Sequence, residues 1–295
     1  MTIERQPGPR MSIPSIGWCR GGRETQEDHF GLWGDGQRMV AVMADGMGGH
    51  QHGDLASRWL VEEIGGLATR GLPFDEWIAQ GATRAVERMK ERGGVMGTTM
   101  AAVEVARHDG GSELTYTWVG DSRIYAWTAR EPLPGAGISL FHRAPYRLWL
   151  LSADDSFVWG FFSRGELSID QVTRHPFKNQ LERSVGDMSP GIAKVLKERC
   201  VHFSLAADDR ILLCSDGVWE SFPRQEEIHA CLNAPEPDRV LLEHLGRAHE
   251  RGDLHDNVSW LILTGEVPTT PWNRLPRLSD DRLARALDPE IEDTP

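Results

Sequence analysis

Met39-Val40-Ala41-Val42-Met43-Ala44-Asp45-Gly46-Met47-Gly48-Gly49-His50-Gln51-His52-Gly53 is the stretch on which the reading of this chain turns. Residues 39–44 are an apolar run of strand length, and Asp45 sits where it stops. Gly46, Gly48, Gly49 and Gly53 then supply backbone that can take positive φ and approach a ligand closely, because no Cβ intervenes. A helix is expected next: Asp54 suits an N-cap, and Leu55, Trp59, Leu60 and Ile64 trace an apolar stripe at helical spacing. Strand, carboxylate, bare backbone and helix start together describe a site for a hard cation or a phosphate. An Asp-Gly pair is also the commonest kind of turn signal, so the reading depends on recurrence.

The pattern does recur. Upstream, Arg23-Glu24-Thr25-Gln26-Glu27-Asp28 places one cation before two adjacent carboxylates. Neighbours on an extended segment point to opposite faces, so one of Glu27 and Asp28 can ligate while the other supports it from behind. An exposed charged loop is the competing reading. Downstream, residues 73–92 predict an amphipathic helix with Phe74, Trp77, Ile78, Ala85 and Met89 inward, ended by Gly93-Gly94. Strands are predicted at 96–105 and 113–119, joined by the hairpin signal His108-Asp109-Gly110-Gly111, and the second stops at Gly120-Asp121-Ser122-Arg123. Residues 129–147, with Pro132, Pro134, Gly135, Gly137 and Pro145, read as a loop or insertion.

Beyond an aromatic-rich stretch at 148–191, with a short helix at 169–174, residues 201–205 and 210–214 read as paired strands around Asp208-Asp209. The second runs into Ser215-Asp216-Gly217. Helical segments near 225–233 and 238–251 precede His255-Asp256-Asn257 and a last strand, 258–264. Asp28, Asp45, Asp121, Asp216 and Asp256 thus all fall at strand edges in a β-rich chain.

Composition narrows the partners. The chain has 295 residues, 40% of them hydrophobic, enough for one large domain with a sizeable core. A formal charge of -12 disfavours nucleic acid and anionic membranes, which call for clustered Lys and Arg, and leaves surplus carboxylates for cations. Cys19, Cys200, Cys214 and Cys231 form no Cys-x-x-Cys pair, so free thiols in a reducing compartment are expected, with neither zinc nor disulfides. There is no signal-peptide core and no run long enough to span a bilayer; a soluble, cytoplasmic protein is expected. A mobile tail is expected at 1–11, one domain at 12–265 and a loosely attached tail at 266–295, with a weak helical segment near 279–287.

Oxygen-only ligation selects Mg²⁺ or Mn²⁺, and four or more carboxylates favour a pair of ions about 3.5–4 Å apart. An anionic substrate then needs a cation. Arg23 is the candidate, because its planar fork matches phosphate oxygens; a surface ion pair with Glu27 is the alternative. No Walker loop, Gly-x-Ser-x-Gly elbow, His-Glu-x-x-His or thiolate phosphatase loop competes, which leaves metal-assisted hydrolysis.

Arg23 to Asp28, Asp45-Gly46-Met47-Gly48-Gly49-His50, Gly97-Thr98-Thr99, Gly120-Asp121-Ser122-Arg123, Ser215-Asp216-Gly217-Val218-Trp219 and Asp256-Asn257-Val258-Ser259 occur in the order of the motifs of the PP2C (PPM) metal-dependent protein phosphatases, which the chain resembles. The region about 148–191 is similar to the flap of that family. The resemblance implies an α+β fold, a four-layer α-β-β-α sandwich with two central antiparallel β-sheets. It implies hydrolysis of phosphoserine and phosphothreonine on proteins by a metal-bound hydroxide, with two or three Mn²⁺ or Mg²⁺ ions and a Ser/Thr kinase as the opposing enzyme. Asp45 would bridge two ions with the Gly46 carbonyl as an added ligand, and Asp216 and Asp256 would complete one shell. Glu27 and Asp28 would hold the other ion through water or a second shell, Asn257 would support the set, and Asp121 with Asp216 would form a third site. Arg23 would bind the substrate phosphate.

Two departures stand out: Met47 replaces a histidine of animal members, and the connection after Trp127 is longer and richer in Pro and aromatics than the family norm, with Asp155 in place of the more usual histidine of that segment. A monomer is expected. The rival readings are a catalytically inactive phosphoprotein-binding scaffold of the same fold, and a hydrolase of small phosphate esters or nucleotides.

Overall fold

The computed structural model describes residues 14–47, 52–131, 137–186 and 190–269, with the backbone of 272–274. The expected tail at 1–11, the glycines at 48 and 49 and the weak helical segment near 279–287 lie outside the described residues.

The apolar run becomes β3 (Arg38–Met47), and its alternation sorts side chains into two cores. Met39, Ala41 and Met43 face one core while Val40, Val42 and Ala44 face another, as expected of a strand buried on both sides. Around β3 forms the larger sheet. β2 (Asp28–Gly34) pairs with it on one side and β5 (Met100–His108) on the other, followed by β6 (Gly111–Val119) and β11 (Val201–Leu205). The short strands β4 (Gly97–Thr98) and β10 (Val185–Gly186) extend it beside the end of β3, and β14 (Trp272–Arg274) pairs with β2. The smaller sheet has the order β1 (Ser15–Cys19), β13 (Val258–Thr264), β12 (Arg210–Cys214), β7 (Arg123–Thr128), β9 (Tyr146–Leu150) and β8 (Ile138–Arg143). Both sheets are antiparallel.

Three apolar cores separate four layers. Helices α1 (Gly53–Gly65), α2 (Phe74–Arg92) and α5 (Ile192–Glu198) cover the larger sheet through Trp59, Leu60, Trp77, Ile78 and Leu196. Between the sheets lie Phe30, Leu32, Val103, Ile124, Leu213 and Leu261. Helices α6 (Asp216–Trp219), α7 (Gln225–Asn233) and α8 (Pro237–Glu250) cover the smaller sheet through Trp219, Ile228, Leu241 and Leu245. The short α3 (Trp159–Ser163) and α4 (Ile169–Thr173) lie in the aromatic-rich stretch 148–191, α4 opened by a Ser168–Gln171 capping box. The arrangement is the four-layer α+β sandwich. No helix among the described residues is long and apolar enough to cross a membrane.

Several local readings are corrected. Residues 129–147 are not all loop: β8 and β9 form a hairpin closing the edge of the smaller sheet, and a register shift between Ser139 and Phe141 breaks the alternation that would have revealed β8. β11 and β12 are strands but not partners. β11 pairs with β6 and β12 with β7 and β13, so residues 206–209 carry the chain from one sheet to the other. Asp209 tightens that crossing by accepting the Ala206 N–H at 2.7 Å. Asp54 lies in the first turn of α1, with His52 at the cap position, where its charge suits the helix N-terminus.

Close packing across the smaller sheet yields a test. A Cβ at Gly17 would stand 2.1 Å from the fully buried Trp260 ring. Gly17→Ala is predicted to destabilise by about 1–3 kcal/mol through overpacking, read by urea unfolding; an unchanged midpoint would contradict this packing.

Candidate active site

Strand register builds the centre of the site. Asp28 and Asp45 are directly opposite each other across β2 and β3, so both side chains project from the same face. That face is the one carrying Phe30, Leu32, Ala41 and Met43 into the space between the sheets. Asp28 is buried and Asp45 largely so. The expectation that Glu27 and Asp28 point apart holds. The Glu27 carboxylate lies on the α1 side, where a Cβ on Gly53 would meet its Oε2 at 2.8 Å, while the Glu27 carbonyl accepts from Gly46 N–H and Ser57 Oγ. Gly46 is bare for a backbone reason, since a Cβ there would stand 2.2 Å from the Gly53 carbonyl oxygen.

Asp45 is locked in place by the break between β4 and β5. Thr99 N–H donates to the Asp45 carbonyl at 2.8 Å, Thr98 Oγ1 donates to the same oxygen at 2.8 Å, and Asp45 N–H donates to Thr99 Oγ1 at 3.0 Å. Thr99 Oγ1 also lies 2.7 Å from Ser122 Oγ, tying this corner to the Asp121 loop. That loop carries the chain from β6 in one sheet to β7 in the other. Gly120 takes φ +94°, and a Cβ there would press on Thr99 at 2.7 Å.

From the smaller sheet, Asp216 follows β12 as the first residue of α6. Ser215 and Ser259 join the two strand ends: Ser215 N–H donates to the Ser259 carbonyl at 3.1 Å and Ser259 N–H to Ser215 Oγ at 3.0 Å. Asn257 acts as a clamp. Its Oδ1 accepts Glu27 N–H at 2.8 Å, and its Nδ2 donates to the carbonyls of Arg20 and Thr25 at 3.0 and 2.9 Å, which fixes the 20–27 loop against β13. Asp256 accepts from Arg23 Nη2 at 2.5 Å. Arg23 therefore pairs with Asp256, not with Glu27, and its half-exposed side chain reaches the carboxylates from the solvent side.

The carboxylates perturb one another. Burial, then the charges of Asp28, Asp216, Asp121 and Asp256, hold Asp45 well above the ordinary range. Burial and then Asp121, Asp256, Glu220 and Asp28 do the same to Asp216. Burial pushes Asp28 up to about 6, with the nearby Ser215 and Ser259 hydroxyls restraining the rise. Asp121 reaches about 7 through burial and Asp154, against the pull of Arg123. The Ser215 and Ser259 hydroxyls lie near Asp28 but outside hydrogen-bond geometry, so both oxygens of Asp28, like Oδ1 of Asp216, are buried without a hydrogen bond. Burying unpartnered carboxylate oxygens costs several kcal/mol unless a cation meets them, so this donor set fits hard divalent ions. Among the described residues no three acidic, His or Cys side chains are already gathered at ligand spacing, and Asp256 is turned toward Arg23.

Sequence reasoning assigned no role to the supports behind these residues. Arg123 is fully buried, makes a two-pronged bond to Asp154 at 3.0 and 2.7 Å, and stacks 3.7 Å over the Trp219 ring. Trp219 Nε1 in turn donates to the Asp121 carbonyl at 3.0 Å. Arg123 and Asp154 were legible as charges near predicted strands, but nothing local announces that they meet.

Residues 19–248 match the family described as Protein phosphatase 2C. The serine/threonine phosphatase Stp of Listeria welshimeri is 29% identical over 220 residues, 69% of this chain and 76% of that protein. The S. agalactiae serine/threonine phosphatase superposes with a TM-score of 0.65 at 22% identity, over 85% of this chain and 99% of the other. The catalytic domain of the serine/threonine protein phosphatase PstP, solved in complex with two manganese ions, superposes with a TM-score of 0.61 at 23% identity, over 85% and 96%. At such identities these superpositions speak for the fold.

The raised carboxyls set a pH dependence. Asp28 titrates at about 6 in the folded chain, against about 3.9 unfolded. Its contribution to stability is therefore full below pH about 4 and is lost as pH rises through about 6, because the fold resists ionisation. In chelator, Asp28→Asn is predicted to gain on the order of 2 kcal/mol over wild type between pH 4 and pH 7, measured by urea unfolding. Parallel pH profiles for the two proteins would contradict it.

Proposed function

The chain belongs to the protein phosphatase 2C family, and from that premise we propose that it hydrolyses phosphoserine and phosphothreonine esters on proteins with divalent ions held by the buried carboxylates. The observation that carries the reading is the facing pair Asp28 and Asp45 with Asp216 beside them, where the unpartnered buried oxygens of Asp28 and Asp216 call for cations. The two manganese ions of the PstP domain support Mn²⁺, with Mg²⁺ the alternative of the same chemistry. Two or three such ions would supply a hydroxide nucleophile near neutral pH and offset the negative charge on the phosphoryl oxygens.

The roles proposed for the chain's own residues are those the resemblance implies, and their placement supports them. Asp45 faces Asp28 across β2 and β3 and feels the charges of Asp216 and Asp256 from the smaller sheet, which suits it to be shared by two ions with the Gly46 carbonyl beside it. Asp216 and Asp256 complete one shell; Glu27 and Asp28 serve the other, directly or through water; Asp121 with Asp216 forms a third, weaker position. Asn257 holds the 20–27 loop so that Arg23 overhangs this group, where a planar guanidinium can grip two phosphate oxygens. Met47 offers no proton, so the leaving serine or threonine oxygen takes its proton from water. The unit carrying these residues is assigned to 12–265, with 1–11 and 266–295 as tails and the flap at about 148–191. A monomer acting in the cytoplasm on phosphoproteins, opposed by a Ser/Thr kinase, completes the reading.

The test is phosphate release from a phosphothreonine peptide with and without Mn²⁺, with a nucleotide at equal concentration as contrast. Asp216→Asn should lower turnover by more than about 100-fold, the upper end of what loss of a mere supporting partner costs. Unchanged turnover, or release without metal, would remove the model. Arg23→Ala should raise KM about tenfold with a smaller change in kcat, as expected for losing a charge-assisted hydrogen bond; a loss confined to kcat would contradict its binding role.

A further inference from the structure

Two consecutive carboxylates grip the Asp121 loop from both flanks. Asp154 takes Arg123, as described. Asp155 takes Gly120: Gly120 N–H donates to Asp155 Oδ2 at 3.1 Å, and Asp155 N–H returns a bond to the Gly120 carbonyl at 2.9 Å. The same Asp155 side chain receives Arg199 through both Nη atoms at 2.7 Å and Arg183 Nη1 at 2.8 Å, while its carbonyl accepts Glu182 N–H at 2.7 Å. Arg199 is itself anchored on the Trp118 carbonyl at the end of β6.

We propose that Asp155 is a positioning residue for the Asp121 carboxylate, and that it makes the place of Asp121 depend on the flap segment around Arg183. Only an ionised carboxylate, an acceptor on both oxygens, can serve two guanidinium groups and a backbone N–H at once. An amide at 155 would turn two of its own N–H donors toward those arginines. A histidine, expected there from the resemblance, could not accept from both. Gly120 has no side chain and a left-handed φ, so the hold on its N–H and carbonyl by Asp155 sets, together with the Trp219 bond to the Asp121 carbonyl, the direction in which Asp121 leaves the strand. Arg183 is the exposed member of the group, so a change in the flap reaches Asp121 through it, with Arg199 retaining a residual hold.

The inference rests on the reading of Asp121 as a ligand of the weaker cation position. It is tested by calorimetric titration of Mn²⁺ into wild type, Asp155→Asn and Arg183→Ala, with thermal unfolding of each in parallel. The weakest Mn²⁺ binding event should weaken about 10–100-fold in Asp155→Asn, the range for loss of an outer-shell partner, and less in Arg183→Ala. The tighter events, centred on Asp45, should hold. A wild-type isotherm for Asp155→Asn, whatever its melting temperature, would overturn the positioning role, as would equal weakening of every event. Should Asp155→Asn fail to fold, Arg183→Ala decides: a wild-type isotherm overturns the inference. Wild type that binds no Mn²⁺ would instead overturn the reading of the site and this inference with it, a result distinct from the others.

Discussion

Like charges buried face to face are the constraint around which this molecule is organised. The β2–β3 register sets Asp28 opposite Asp45, and the alternation that sends Phe30, Leu32 and Met43 into the inter-sheet core sends both carboxylates the same way. Neither can move to the other face without slipping the strand by one residue and turning its whole apolar set outward. The core therefore pins the carboxylates, and the carboxylates, raised by burial and by one another, remain an unfavourable grouping that a cation would relieve. The remaining members arrive at sheet junctions. Asp121 lies where the chain crosses from β6 to β7, Asp216 where β12 gives way to α6, and Asp256 just before β13.

These junctions explain why backbone contacts, more than side-chain packing, define the geometry. Thr98 and Thr99 hold Asp45 by its own amide and carbonyl, Ser215 and Ser259 lace two strand ends together, and Asn257 ties a loop to a strand through three bonds. Gly120, Gly46 and Gly217 sit where a Cβ would strike neighbouring atoms at 2.7, 2.2 and 2.1 Å. Fold and site are one construction, in which the turns that join the sheets are the turns that carry the acids.

Much of this was legible in the chain. The strand at 39–44, the helices near 53–65 and 74–92 and the strand at 258–264 announce themselves by period and by their stops; Asp beside Gly at a strand end marks Asp45, Asp121 and Asp216, while Asp28 and Asp256 stand out only as carboxylates at strand starts. What escaped was non-local. A tight turn at 206–209 looks the same whether it closes a hairpin or crosses between sheets, so in the sequence β11 and β12 read as partners. The bulge in β8 hid an edge strand inside a Pro- and Gly-bearing stretch. The Arg123–Asp154 pair is 31 residues apart in sequence, and the hold of Asp155 on Gly120 spans 35, distances at which local pattern says nothing. The glycines at 46 and 53 do mark close approach, by the Gly53 carbonyl at Gly46 and by the Glu27 carboxylate at Gly53.

Family membership fixes the fold and supports phosphatase chemistry, but activity lives in the site and not in the fold. It rests on whether the buried acids hold ions. Anomalous diffraction from crystals soaked in Mn²⁺ tests this most directly. The account predicts two strong peaks about 3.5–4 Å apart, flanking Asp45 between Asp28 and the Asp216–Asp256 pair, with Asp256 released from Arg23. Crystals with no manganese at Asp45, or with manganese only at surface carboxylates, would contradict it.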